Sequence, residues 1–165
     1  MRKLVLLICV TAALAAAADS LSKRRAPGFS LPDAFVNQHD LADYRGKWVL
    51  LDYMQTSCAG CRALTKLLET KKAQYKGKFE VLSVVISPPD TQPTVKAYMT
   101  ANNMTSPILF DQGQMAFSYF KAMNFTTPHL FAIDPNGNIV HDWDASEVEN
   151  PKFPAALDLM FNVRK

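Results

Sequence analysis

Two apolar runs, KWVLLDYM (47–54) and FEVLSVVIS (79–87), flank a segment with helical patterning, and this arrangement limits the fold more than any other feature of the chain. Neither run alternates strictly between apolar and polar residues, so each suits a strand buried on both faces. Between them, from Ala59 to about Lys76, Cys61, Leu64, Leu68 and Tyr75 recur at near-helical spacing, with Leu67 beside them and lysines and glutamates filling the rest. Gly77 ends the pattern, as a residue tolerant of left-handed backbone commonly ends a helix. The alternation continues downstream. TQPTVKAYMTANNM (91–104) reads as a helix with Pro93 near its first turn, PILFD (107–111) as a short strand and QMAFSYFKAM (114–123) as an apolar-rich helix. HLFAIDPNGNIVHDW (129–143) reads as a hairpin turning on Pro-Asn-Gly-Asn, and FPAALDLMFNV (153–163) as a closing amphipathic helix. Upstream, APGFSLPDAFVNQHDLADYRGK suggests loops and short edge strands. The whole describes an α/β domain whose central sheet is covered on both faces.

The chain has 165 residues, enough for one domain with a real core. It opens with MRK, then LVLLICVTAAL, then AAAADS, which are the basic, apolar and small-residue regions of a secretory signal peptide over residues 1–18. The apolar run from Leu4 to Ala18 is 15 residues long, shorter than a membrane span, so cleavage near Ala18 is expected over retention as an anchor. The protein is then exported, periplasmic or extracellular, with no stable membrane insertion. Residues 19–25, with SKRR at 22–25, read as a flexible basic tail in front of a domain spanning 26–165. Losing Arg2 and Lys3 takes the formal charge from +3 to +1, and from Ala26 onward it is −1. A nearly neutral domain has no electrostatic footprint for nucleic acid.

Of the three cysteines, Cys9 leaves with the leader and Cys58 and Cys61 remain, in DYMQTSCAGCRAL (52–64). Export allows a disulfide to persist. A loop this short constrains the unfolded chain little, which argues for chemistry rather than stapling. Cys58 falls at or next to the N-cap of the first helix, where unpaired N–H groups and the helix dipole favour a thiolate. Cys61, one turn further in, is placed to attack a mixed disulfide on Cys58 and release the partner. Structural zinc needs about four ligands, and only His39, His129 and His141 are on offer, widely spaced. A Cu(I) site built from Cys58, Cys61 and His129 stays open as an alternative, beside the plainer reading of His129 as a strand residue.

GKWVLLDYMQTSCAGC resembles the strand–turn–helix active site of thioredoxins, and TTPHLFAIDPNGNIV resembles the segment carrying their cis-proline and hairpin. APGFSLPD with YRGK, and the extra strand and helix between the cysteines and Pro128, are similar to the exported TlpA/ResA-like branch, which overlaps the AhpC/TSA family. The resemblance covers about residues 26–163. It implies a thioredoxin-like fold with a central mixed sheet and a strand–helix insertion, and a redox pair at Cys58 and Cys61. Pro128, after Thr127, would be the cis-proline against the disulfide, the two receiving the partner chain. Asp52 would be the buried acid that exchanges a proton with Cys61, the other reading being a strand-end aspartate turned to solvent or capping a loop. The implied activity is thiol–disulfide exchange with protein thiols and disulfides, by a monomer, with an unidentified electron donor and no organic cofactor. Ser57 stands where the family often has Trp, and Met54-Gln55 where Trp-Ala is usual. Ala59-Gly60 carries no charge, proline or histidine, which leans towards a reductant. Thiol peroxidase is the other enzymatic reading, although Leu51 and Gln55 occupy the positions where that chemistry needs Pro and Thr. The acid run DWDASEVEN (142–150) reads as a solvated loop, and His39 and His141 as surface residues.

Overall fold

The computed structural model describes residues 21–122 and 125–162, so the leader expected at 1–18 lies outside the described residues. In chain order the elements are β1 (Arg24–Arg25), β2 (Ser30–Pro32), β3 (Gln38–Asp40), β4 (Trp48–Tyr53), α1 (Ala59–Gln74), β5 (Phe79–Ile86), α2 (Gln92–Ala101), β6 (Ile108–Asp111), α3 (Gln114–Phe120), β7 (His129–Ile133), β8 (Asn138–Trp143), α4 (Ala145–Val148) and α5 (Phe153–Asn162). Six strands form one mixed sheet in the order β1-β8-β7-β4-β5-β6, and β2 pairs separately with β3. β4, β5 and β6 run parallel; β7, β8 and β1 are each antiparallel to a neighbour.

The doubly buried character of β4 follows from its central place. Leu51 pairs with Leu82 on one side and Phe131 on the other. Because successive side chains point to opposite faces, β4 feeds two cores at once. Val49, Leu51 and Tyr53 pack with Phe131 and Ile133 and with Met115, Tyr119 and Phe120 of α3. Leu50 enters the other core with Leu130 and Ala132, Leu64 and Leu68 of α1, and Phe153, Leu157 and Phe161 of α5. A third cluster gathers Met54, Cys61, Val85 and Ile108 under Val95 and Tyr98 of α2. The sheet is thus covered on both faces, and between the cysteines and Pro128 the chain runs through α1, β5, α2, the edge strand β6 and α3.

Local chemistry sets the ends of the helices. Thr91 caps α2 in a reciprocal box with Thr94, and Pro93 lies in the first turn. α3 has no side-chain N-cap; the buried Asp111 carboxylate accepts from Met115 N at 3.1 Å and Ala116 N at 2.8 Å instead. The β7–β8 turn needs Gly137 at φ +83, with the Arg45 guanidinium packed over it.

Two segments depart from the sequence reading. Arg24 and Arg25, placed in a solvated tail, pair with Ile139 and Asn138 and give the sheet its outermost strand. Arg24 Nε donates to Leu21 O at 2.9 Å, and its guanidinium lies 5.9 Å from the centre of the Tyr119 ring. A charged arginine can cover apolar surface with its stem while its head finds carbonyls, and composition alone does not reveal that. The acid run is likewise built rather than loose: Asp144 caps α4, exchanging hydrogen bonds with Glu147, and Val148 is buried.

Candidate active site

The parallel strand β4 delivers the chain to the carboxyl end of the sheet, where α1 starts. Met54 N still bonds Val84 O at 3.0 Å, and Cys58 N turns back to Gln55 O at 3.1 Å. Cys58 is the N-cap residue of α1, and its Sγ accepts a hydrogen bond from Cys61 N at 3.0 Å. Cys58 is half-buried and Cys61 fully buried, and the two form a disulfide with Cα atoms 5.2 Å apart. Ser57 is exposed, so its hydroxyl meets solvent.

The Thr127–Pro128 bond is cis, and the Thr127 carbonyl oxygen lies 3.8 Å from Cys58 Sγ. Residues far apart in the chain therefore meet at the more exposed of the two sulfurs. Asp52 is fully buried, not turned to solvent. By strand alternation it lies on the α1 side of β4 between Leu50, which packs with Leu64 and Leu68, and Met54, which packs with Cys61. Ser83 Oγ donates to its Oδ2 at 3.4 Å, and Oδ1 has no hydrogen-bond partner among the described residues. Burial pushes its carboxyl up to about 7, against the weaker opposing pull of Ser83.

His129 lies on the other face. Its ring packs edge-on against Phe120 at 4.8 Å and beside Phe131 at 4.7 Å, with Nε2 3.7 Å from Asp142 Oδ2. Burial lowers its pKa, and Asp142 and Asp144 pull the other way. Among the described residues no three His, Cys, Asp or Glu side chains gather as a metal site, so His129 is not joined to the two sulfurs in one. His141 stacks on Trp143 at 5.2 Å. His39 is tied to Asp33 at 3.2 Å and to Tyr44 OH at 2.8 Å.

Two contacts at the site escaped the sequence reading. The nearly buried Asp90 accepts from Thr56 N at 3.2 Å and from Thr56 Oγ1, fastening the loop before Cys58 to the segment after β5. The Glu149 carboxylate rests against Gly60, in the space a Cβ there would fill. The Asp-x-x-Glu capping pattern at 144–147 was the available signal for the element that carries Glu149. Beside the disulfide, an open groove of about 430 Å³ runs between Gln55, Pro89, Phe117, Phe125 and Thr127.

The sequence matches the AhpC/TSA family over residues 23–142. The chain belongs to that family. It is similar to the thiol-disulfide oxidoreductase ResA of Geobacillus kaustophilus, 30% identical over 115 residues, which are 69% of this chain and 64% of that protein. It is also similar to a Mycobacterium tuberculosis protein named "Putative peroxiredoxin MT2597", 31% identical over 133 residues, 70% of this chain and 80% of the relative. A thioredoxin-family thiol:disulfide interchange protein from Chlorobium tepidum superposes with a TM-score of 0.69 at 22% identity, covering 87% of this chain and 97% of the other, and that likeness is one of fold. In fold and cysteine pair, this AhpC/TSA member is a thioredoxin-type thiol–disulfide oxidoreductase.

Proposed function

We propose that the protein is exported with loss of residues 1–18 and works outside the cytoplasm as a reductant of protein disulfides. The Cys58 thiolate attacks one sulfur of the partner disulfide, and the other partner sulfur leaves as a thiolate. Cys61 gives its proton to Asp52 and attacks Cys58 Sγ, which releases the second partner sulfur and closes the Cys58–Cys61 disulfide. Two electrons pass to the partner, and a thiol donor must return them. Thr127, whose carbonyl oxygen lies 3.8 Å from Cys58 Sγ, and Pro128 line up the incoming chain. The observation that carries the reading is Asp52: a fully buried carboxyl on the α1 side, pushed up to about 7, which can take a proton near neutral pH. The reducing direction is supported by the plainness of the turn, since among the described residues Cys58 Sγ accepts one hydrogen bond, from Cys61 N–H.

The potential of the couple, equilibrated against glutathione and dithiothreitol with metal excluded, tests the direction. A value near that of thioredoxin, about −270 mV, is expected; one near −120 mV would make the protein an oxidant. The relative named as a peroxiredoxin favours a second reading, peroxide consumption by Cys58. Leu51 and Gln55 carry no hydroxyl, so neither supplies one to activate a peroxide. Hydrogen peroxide turnover lost in Cys58→Ser would decide for that reading.

A further inference from the structure

Gly60 lies within α1 and is absent from the glycines of positive φ, so its backbone does not call for glycine. Glycine has no intrinsic advantage over alanine within a helix. An added Cβ would meet Glu149 Oε1, the far end of an exposed side chain, with Glu149 Cδ at 3.4 Å and Pro128 Cδ at 3.3 Å. The carboxylate therefore rests on the first turn of α1 at Gly60, a residue two positions along the chain from Cys58, and beside the cis-proline. A built element brings it there. Asp144 accepts from Glu147 N at 3.1 Å and Ser146 Oγ at 2.6 Å, Val148 anchors α4 in the core, and Glu149 N bonds Ala145 O at 3.1 Å.

We propose that Glu149 tunes the redox pair: its carboxylate, held against the start of α1, opposes the thiolate at Cys58 and biases the couple towards the reducing side. The inference rests on the reading of Cys58 as the attacking thiol. The N–H groups at a helix start favour negative charge, and here one anion already stands there when the second forms. A like charge nearby disfavours the thiolate and raises its pKa. The disulfide is uncharged, so the penalty falls on the reduced state alone and makes the pair a readier electron donor. Glu149 acts through the thiol and is a positioning residue. Among the described residues, the charged groups on the elements around the pair include Asp52 on the α1 side of β4, Asp90 bonded to Thr56, Arg62 just past Cys61 in the chain, and His129 with Asp142 and Asp144 on the other face. All of these stay in place in the variants below.

The test is the pH dependence of iodoacetamide alkylation of the reduced protein, with the modified cysteine identified by mass, together with the potential of each variant. Glu149→Gln is expected to raise the Cys58 acid dissociation constant about threefold, a modest effect because the glutamate is exposed. The same factor in the redox equilibrium is about 14 mV towards the oxidising side, at 29.6 mV per tenfold. The difference should shrink in 1 M salt, where the screening length falls to about 3 Å. Gly60→Ala pushes the flexible glutamate aside and should shift both quantities in the same direction, yet add nothing in the Gly60→Ala/Glu149→Gln protein. Unchanged acidity and potential in Glu149→Gln, or a Gly60→Ala shift that persists without Glu149, would overturn the inference. Alkylation of Cys61 ahead of Cys58 would overturn the underlying reading of the attacking thiol. A wild-type potential on the oxidising side would overturn only the direction proposed above, because the inference concerns differences between variants.

Discussion

Asp52 is an ionisable group enclosed by the sheet and α1, and its position has a thermodynamic cost that can be read out. In the unfolded chain a carboxyl of this kind titrates near 3.8; folding pushes it up to about 7, chiefly through loss of water. Below pH 3.8 both states are neutral and the group has no effect on stability. Between 3.8 and 7 the folded protein holds a proton that the unfolded chain has released, so stability falls as pH rises through that window and then levels off. Asn at this position never ionises. Asp52→Asn should therefore be the more stable protein at pH 8, by up to about 4 kcal/mol at 1.36 kcal/mol per pKa unit, and close to wild type at pH 4. Denaturant midpoints at the two pH values check this; equal midpoints at pH 8 would mean that Asp52 titrates near its ordinary value. The same substitution should slow resolution of the mixed disulfide near neutral pH and leave the first attack by Cys58 unchanged in stopped-flow traces. Stability and the proposed proton transfer thus pull this residue in opposite directions.

At the scale of elements, β1 shows how little chain can matter to a sheet edge. It has two residues, yet Lys23 N bonds Ile139 O at 2.7 Å and Ala26 N bonds Gly137 O at 2.9 Å on either side of the pairing. A chain beginning at Ala26 would lose the Lys23 bond and the Arg24 contacts and leave β8 as an open edge. It should be less stable than one beginning at Asp19 by about 1–3 kcal/mol, from a few backbone hydrogen bonds at about 1 kcal/mol each. Thermal unfolding of the two chains measures this; equal midpoints would return residues 19–25 to the status of a tail. β1 also marks where sequence reading runs out. β4, α1, β5, the hairpin and α5 carry their own period and punctuation, so they were legible to within a few residues. β1 exists only through strand β8, more than a hundred residues away. The grip of Asp90 on Thr56 and the seat of Glu149 on Gly60 are likewise contacts between distant segments, with no local pattern beyond the capping pair at 144–147. At the site, the cysteines announced themselves by spacing at a helix start. Thr127, Pro128 and Asp52 were placed only through family resemblance, since neither a cis bond nor burial of one aspartate has a local signature.

For the whole molecule, the disulfide couples chemistry to folding. The difference in unfolding free energy between oxidised and reduced protein equals the difference in potential between the folded and unfolded couples, at about 1.4 kcal/mol per 30 mV. Chain entropy sets the scale of the direct gain: a loop this short is worth about 2 kcal/mol, against about 4.7 for a loop of a hundred residues. The rest depends on what the fold does to the reduced pair. Strong oxidants of this fold owe their potential to a stabilised dithiol form. Here Cys61 is buried, the sulfur of Cys58 accepts no more than one hydrogen bond among the described residues, and Glu149 lies against the helix start. These features favour the disulfide, so the oxidised protein should be the more stable form, with a higher guanidinium midpoint and an unchanged slope. The Cys58→Ser/Cys61→Ser protein should remain folded and unfold close to the reduced wild type, because most of the core lies in the two clusters flanking β4 and Cys61 belongs only to the smaller third one. A reduced form more stable than the oxidised one would place the couple on the oxidising side and reverse the proposed direction of electron flow. Failure of the double variant to fold would make the pair structural.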